Sequence, residues 1–221
     1  FNSVAAEEQG LIGSQYYGEN PTIPAGRIAL AINYDAIYEF GKVGSVQMLG
    51  IERTPFEPAA QRITNALDLK IVPDQSPEQG SYYRSDHFSF GKVGIPAFSI
   101  SQGNDLVGQP AELGKKLRDD YRSNHYHQPS DQFDPRWDWS SAVQMGELGF
   151  WLGWDAANAP DKPNWKPGDE FRASRERRLK ELVHQCQLSV TQPLRFTPLY
   201  VYAGSGPYAD RSTRRAARRP A

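Results

Sequence analysis

Apolar residues fall into short runs separated by polar, glycine- and proline-marked turns. "RIALAINYD", residues 27 to 35, is an apolar run that closes on an acid, as a buried parallel strand does when it carries a functional residue at its carboxyl end. "SVQMLGIE" alternates more and predicts a second strand, nearer an edge; "KIVPD" and "IPAFSIS" predict two more. "PFEPAAQRITNALDL" places Ala60, Ile63 and Leu67 at helical spacing behind a starting proline. "QGLIGSQYY" predicts a short helix ended by Gly18, and "SDHFSFGKVG" one closed by Gly94. Residues 103 to 136 read as polar loop. A long helix follows over 138 to 158, with Asp138 as cap and Val143, Leu148, Trp151 and Leu152 marking its apolar face. "PDKPNWKPGDEF" is a proline-punctuated connector, and "RASRERRLKELVHQC" a charged surface helix. The opening Phe1–Ala5 reads as the second half of a buried strand, so the chain is expected to be truncated at its N-terminus.

Strands alternating with helices predict an α/β sandwich with a largely parallel central sheet, whose chemistry sits at the carboxyl ends of strands. That rule selects Glu7 and Glu8, Asp35, and the loop after Ile100. A chain of 221 residues can build one substantial core. Its net charge of −1 gives no electrostatic case for nucleic acid or an anionic membrane. No run approaches the roughly 20 apolar residues of a bilayer span. The single cysteine, Cys186, excludes internal disulfides and cysteine metal clusters. From about Leu188 the character changes to an aperiodic, Arg-rich end. Residues 187–221 are expected to be a disordered or non-native extension rather than a basic nucleic-acid tail.

Adjacent glutamates repel, so the Glu7–Glu8 pair in "AAEEQGLIGSQYY" needs a reason. It can be a solvated pair of charges. It can also divide two jobs, one carboxylate holding a divalent ion while its neighbour takes a proton from water. Four histidines are available: His87, His125, His127 and His184, the last expected on a surface helix. There is no HExxH, which excludes the helix-based zinc-protease arrangement. "SDH" is not a Ser-His-Asp triad, because consecutive side chains leave the backbone in different directions. His125 and His127 share a face if the chain there is extended, which makes His125 a minor candidate ligand.

"AAEEQGLIGSQYY", "INYDAIYEFG", "YYRSDHFSFGKVGIPAFS" and "YHQPSDQFD" occur in the order and approximate spacing of one metallopeptidase family. The chain resembles the dinuclear zinc aminopeptidases, family M28, over about residues 1 to 180, including "PNWKPGDEFRA" of one bacterial branch. The resemblance implies a three-layer α/β/α sandwich with a mostly parallel mixed sheet, two zinc ions, a peptide substrate and a secreted or periplasmic location. By position, Glu7 matches the general base. Glu8 and His127 match ligands of one zinc, and Asp35 a ligand of the other. Tyr82 matches the tyrosine that stabilises the tetrahedral oxyanion, with Tyr126 a second candidate. Arg84 would contact substrate, Asp86 and His87 would line the site, and Asp131 would fix the loop or support a ligand. Two further ligands of the family, an HxD histidine and a bridging aspartate, lie upstream of the Glu-Glu pair, where this chain has six residues. Residues 1–186 are thus expected to be a partial catalytic domain, inactive alone, since a catalytic zinc takes about three protein ligands. A single-zinc glutaminyl cyclase and a non-catalytic binding module on the same fold are the alternatives. Oligomeric state and residue preference are not legible.

Overall fold

A computed structural model describes residues 1–74 and 77–191, with side chains described to residue 184. The expected features of residues 192–221, and of the side chains from Gln185 on, lie outside the described residues. Among the described residues four strands form one mixed sheet in the order β1-β4-β2-β3: β1 Ala31–Asn33, β2 Ser45–Leu49, β3 Lys70–Val72 and β4 Ala97–Gln102. β1 runs parallel to β4, and β2 parallel to β3; only the central β2–β4 pair is antiparallel.

Strand side chains alternate between two faces and so build two apolar layers. Ile32, Val46, Met48, Phe98 and Ile100 point to one face. There they meet Ala60 of α2 (Glu57–Ala66) and Met145, Leu148, Leu152 and Ala156 of α5 (Ser140–Asn158). Ala31, Leu49 and Ala97 face the other side, against Phe88 and Phe90 of α3 (His87–Lys92), with Tyr82, Trp165 and Phe171. α1 (Ile12–Glu19) packs on α3, and α6 (Arg172–Thr191) on the 3₁₀ turn Ala25–Arg27. With helices on both faces, the fold is the three-layer α/β/α sandwich expected.

Several expectations fail for identifiable reasons. Residues 1–5 form no strand: the segment finds no pairing neighbour among the described residues, Phe1 is fully exposed, and the backbone turns left-handed at Ala6, φ 58°. β2 is interior rather than an edge, because β4 runs antiparallel along its second side. The expected loop 103–136 contains α4, Leu113–Asn124. It is so polar that only Leu113 and Leu117 reach the core. On α5, Leu148 and Leu152 are buried as expected, but Val143 and Trp151 face outward; Met145 and Ala156 complete the inner stripe. The cap of α5 is Trp139, with no side-chain cap bond, rather than the expected Asp138, which sits one residue earlier and accepts the Ser140 N–H at 2.9 Å. α6 is not only a surface helix. Its Arg175 is fully buried, donating to the carbonyls of Ala25, Ile28 and Pro163 at 3.0–3.3 Å. Among the described residues no helix is long and apolar enough to cross a membrane.

Candidate functional site

The Glu-Glu pair lies on a turn whose form is dictated nearby. Ala6 in the left-handed region starts it, and the Glu7 carbonyl accepts from Gly10 N–H (3.0 Å) and Leu11 N–H (2.9 Å). Gly13 N–H donates to the Ala5 carbonyl at 2.9 Å. A Cβ on Gly13 would sit 2.4 Å from that oxygen, so the glycine lets α1 press directly on the backbone beneath the pair.

More than half the chain away, α4 ends at Asn124 and delivers a compact loop. His125 N–H and Tyr126 N–H both donate to the Tyr121 carbonyl, at 2.8 and 2.9 Å. His127 then adopts φ 58°, an uncommon conformation that histidine tolerates better than bulky residues do. This turns its ring back, and Nε2 lies 2.8 Å from Glu8 Oε1. The Tyr126 ring stacks on His127, centroids 3.8 Å apart. Asp131 Oδ2 accepts the Tyr121 hydroxyl at 2.9 Å and so fastens the loop to α4. The His125 ring is turned elsewhere, its Nδ1 3.3 Å from the Ser130 carbonyl.

Asp35 follows the carboxyl end of β1, and Asp86 precedes α3. Burial raises the Glu7 carboxyl above its ordinary range, and Asp35, Glu8 and Asp86 raise it further, while His127 opposes them. Asp35 is raised by burial first, then by Asp86 and Glu8. Glu7, Glu8, Asp35, Asp86 and His127 thus gather their charges at one place. Asn33 ties two of the contributing segments together, its amide donating to Ser85 Oγ at 2.9 Å and Ser99 Oγ at 3.3 Å.

The other expected residues sit differently. Tyr82 is buried, its hydroxyl donating to the Ala97 carbonyl at 3.3 Å and its ring covered by the Arg53 guanidinium at 4.4 Å. The charges it feels are Arg53, Asp169, Glu52 and Glu170, not those of the acidic group. His87 is buried edge-on to Tyr82, centroids 4.7 Å apart, and burial with the Arg53 charge pulls its pKa down to about 4. It is therefore neutral at physiological pH. Arg84 is exposed at the end of the 3₁₀ turn Ser81–Arg84. The Tyr126 hydroxyl is raised by burial and then by Glu8 and Asp35. A groove of about 410 Å³ between Glu19, Pro24, Arg178 and Leu182 contains none of the site residues.

Carboxylate oxygens with an imidazole nitrogen are suitable donors for zinc. Asp86 Oδ1, buried without a hydrogen-bond partner, adds an unsatisfied acceptor to the group. Yet among the described residues no three His, Cys, Asp or Glu side chains converge tightly enough to hold an ion. The donor chemistry fits a divalent metal; the donor number does not complete a shell.

The raised carboxyls have a consequence for stability. A native carboxyl with a raised pKa binds its proton more tightly than the unfolded chain does, so stability falls as pH rises through the folded value. Asp35→Asn removes one of these charges. In metal-free protein it is expected to raise the melting temperature at pH 7 only slightly, because Asp35 is solvent-exposed and its repulsion is screened, with the gain vanishing below about pH 3.5, under the unfolded carboxyl value. Melting temperatures at the two pH values check this; a loss of stability in Asp35→Asn at pH 7 would refute it.

The model for peptidase family M28 matches residues 1–150. Among solved structures, an aminopeptidase from Aneurinibacillus sp. strain AM-1 is 20% identical, with a TM-score of 0.46, over 75% of this chain. The match spans only 35% of that structure's own chain. No curated protein matches. Because the family pattern runs through well over half of the 221 residues, from before the Glu-Glu pair into α5, the chain belongs to peptidase family M28.

Proposed function

We propose that the protein is the catalytic part of a zinc-dependent exopeptidase of aminopeptidase type, with Glu7 as the general base. The observation that carries the reading is the meeting of Glu8 and His127 at 2.8 Å beside Glu7, in a family of peptidases. Glu8 and His127 would hold one ion and Asp35 the other, each shell needing further donors. Zinc, when bound, would supply polarisation of the scissile carbonyl and acidification of water. Glu7 takes the proton of the attacking water and passes it to the leaving amine; a carboxyl raised towards working pH suits both transfers. Of the two tyrosines, Tyr126 is the better oxyanion donor. Its hydroxyl is held protonated and lies in the field of Glu7, Glu8 and Asp35, whereas that of Tyr82 is engaged by Ala97. Asp131 holds the loop, Asp86 lines the site beside the buried His87, and the exposed Arg84 reaches for substrate.

In a polypeptide that supplies the remaining ligands, zinc should support hydrolysis of an aminoacyl p-nitroanilide, and a chelator should stop it. Hydrolysis indifferent to the chelator would overturn the metal reading. Equal cleavage of a peptide blocked at its amino end would overturn the exopeptidase reading, and cyclisation of N-terminal glutamine without hydrolysis would point to a cyclase.

A further inference from the structure

β1 ends at Asn33, while β4, its parallel neighbour, continues to Gln102. Past Asn33 the chain has no strand partner on that side among the described residues, and the buried Gln102 side chain takes over the pairing. Its Oε1 accepts the Tyr38 N–H at 2.6 Å, and its Nε2 donates to the Tyr38 carbonyl at 2.7 Å. The two bonds are reciprocal, so the amide orientation follows from the backbone it serves. Ser141 Oγ donates to the same carbonyl at 2.7 Å.

Tyr38 lies just after Asp35 on the loop that leaves β1. Just before Asp35, Tyr34 is pinned by its hydroxyl to the Met145 carbonyl at 2.7 Å. The loop carrying Asp35 is therefore held on both flanks. Gln102 is also linked, through Arg118 and Tyr38, to the helix that presents the histidine. Its own carbonyl accepts from Arg118 at 2.7 Å, and that guanidinium lies 4.5 Å over the Tyr38 ring. Tyr121, further along α4, meets the Tyr38 ring edge-on at 5.6 Å. Tyr121 is the residue whose carbonyl and hydroxyl shape the loop of His127.

We propose that Gln102 is a positioning residue of the site: by clamping the Tyr38 backbone it sets where Asp35 stands relative to the α4 end that presents His127. Such a role matters because displacements of about 1 Å can cost on the order of a hundredfold in activity. The structural link stands by itself; its catalytic meaning rests on the peptidase reading above.

The test compares Gln102→Met, which keeps the volume and removes both bonds, with Ser141→Ala, which removes one bond to the same carbonyl and leaves the clamp. Metal-free full chain is used first. By NMR, Gln102→Met should shift the His127 ring and Asp35 carboxyl signals and weaken Tyr38–Tyr121 contacts, with Leu148 and Leu152 methyl signals unchanged. Ser141→Ala should leave the His127 and Asp35 signals in place. Unmoved signals in Gln102→Met, or equal movement in both variants, would overturn the proposal. Should Gln102→Met not fold, Gln102→Glu, which keeps the acceptor for Tyr38 N–H, carries the same comparison. Zinc titration then separates the two readings. A roughly tenfold to hundredfold weaker affinity in the Gln102 variant, on the scale of lost supporting contacts at metal sites, supports both. Shifted signals without zinc binding by any form leave the clamp standing and count against the metal reading.

Discussion

In a polypeptide that supplies the remaining ligands, the proposed base role of Glu7 predicts that Glu7→Gln lowers turnover of an aminoacyl p-nitroanilide by about 10²- to 10⁴-fold, the usual contribution of a positioned general base. The change removes one negative charge and keeps the shape. Glu8, His127 and Asp35 remain, so zinc content should be that of the parent. The acid limb of the pH–rate profile should also disappear. Glu7 must be ionised to accept a proton, and its carboxyl is raised by burial and by three carboxylate neighbours, so in the parent activity falls as pH drops through that raised value. Kinetics with metal analysis checks all three points. Normal turnover by the zinc-loaded variant would sink the base assignment. The same variant relieves repulsion in an acidic group, so loss of activity through unfolding is not the expected route.

Trp165→Ala carries the largest expected effect on stability, about 3–5 kcal/mol. Trp165 is completely buried, with 0% of its surface exposed. It packs on Phe171 with centroids 5.2 Å apart, and its Nε1 donates to the Gly94 carbonyl at 3.3 Å. Arg53 lies 5.5 Å from its ring and is paired with Asp169 at 2.7 Å and Glu170 at 2.9 Å. The segment after α5 thereby closes the apolar layer against Ala97 and α3. Gly94 shows how close the approach is: at φ 90°, a Cβ there would stand 2.4 Å from Arg175 N. Trp165 and Phe171 lie beyond residues 1–150, the stretch matched by the family model, so the substitution tests whether they belong to the same cooperative unit. Urea denaturation of wild type and variant decides it. A loss under about 1 kcal/mol would mean the connector is an appendage, because the range for large aromatics in a core is several times that.

Legibility follows the strength of the local signal. β4 is readable because "IPAFSIS" is strongly apolar and bounded by turn residues, and α2 because proline starts a helix-period pattern. α4 escapes a reading by pattern because a helix needs only a narrow apolar stripe when it is held by Arg118 and Tyr121 rather than by a broad face. Val143 and Trp151 read as inward because hydrophobic character does not say which of two apolar stripes on α5 is covered. At the site, the residue types are legible. The clamp through Gln102 and Tyr38 is not, since a glutamine ending a strand carries no distinctive local pattern.

Residue order and spacing suffice for the order and type of most elements, and for the resemblance that sets Glu7, Glu8, Asp35 and His127 apart from other acids and histidines. These are properties of residues and their near neighbours, which periodicity and spacing record. It takes the folded chain to turn His127 back onto Glu8, to set Tyr126 in the field of the acids while Tyr82 is engaged in the core, and to join two loops through Gln102. Those outcomes depend on how the sheet brings distant segments together, and on backbone turns such as φ 58° at His127, whose direction no local pattern specifies.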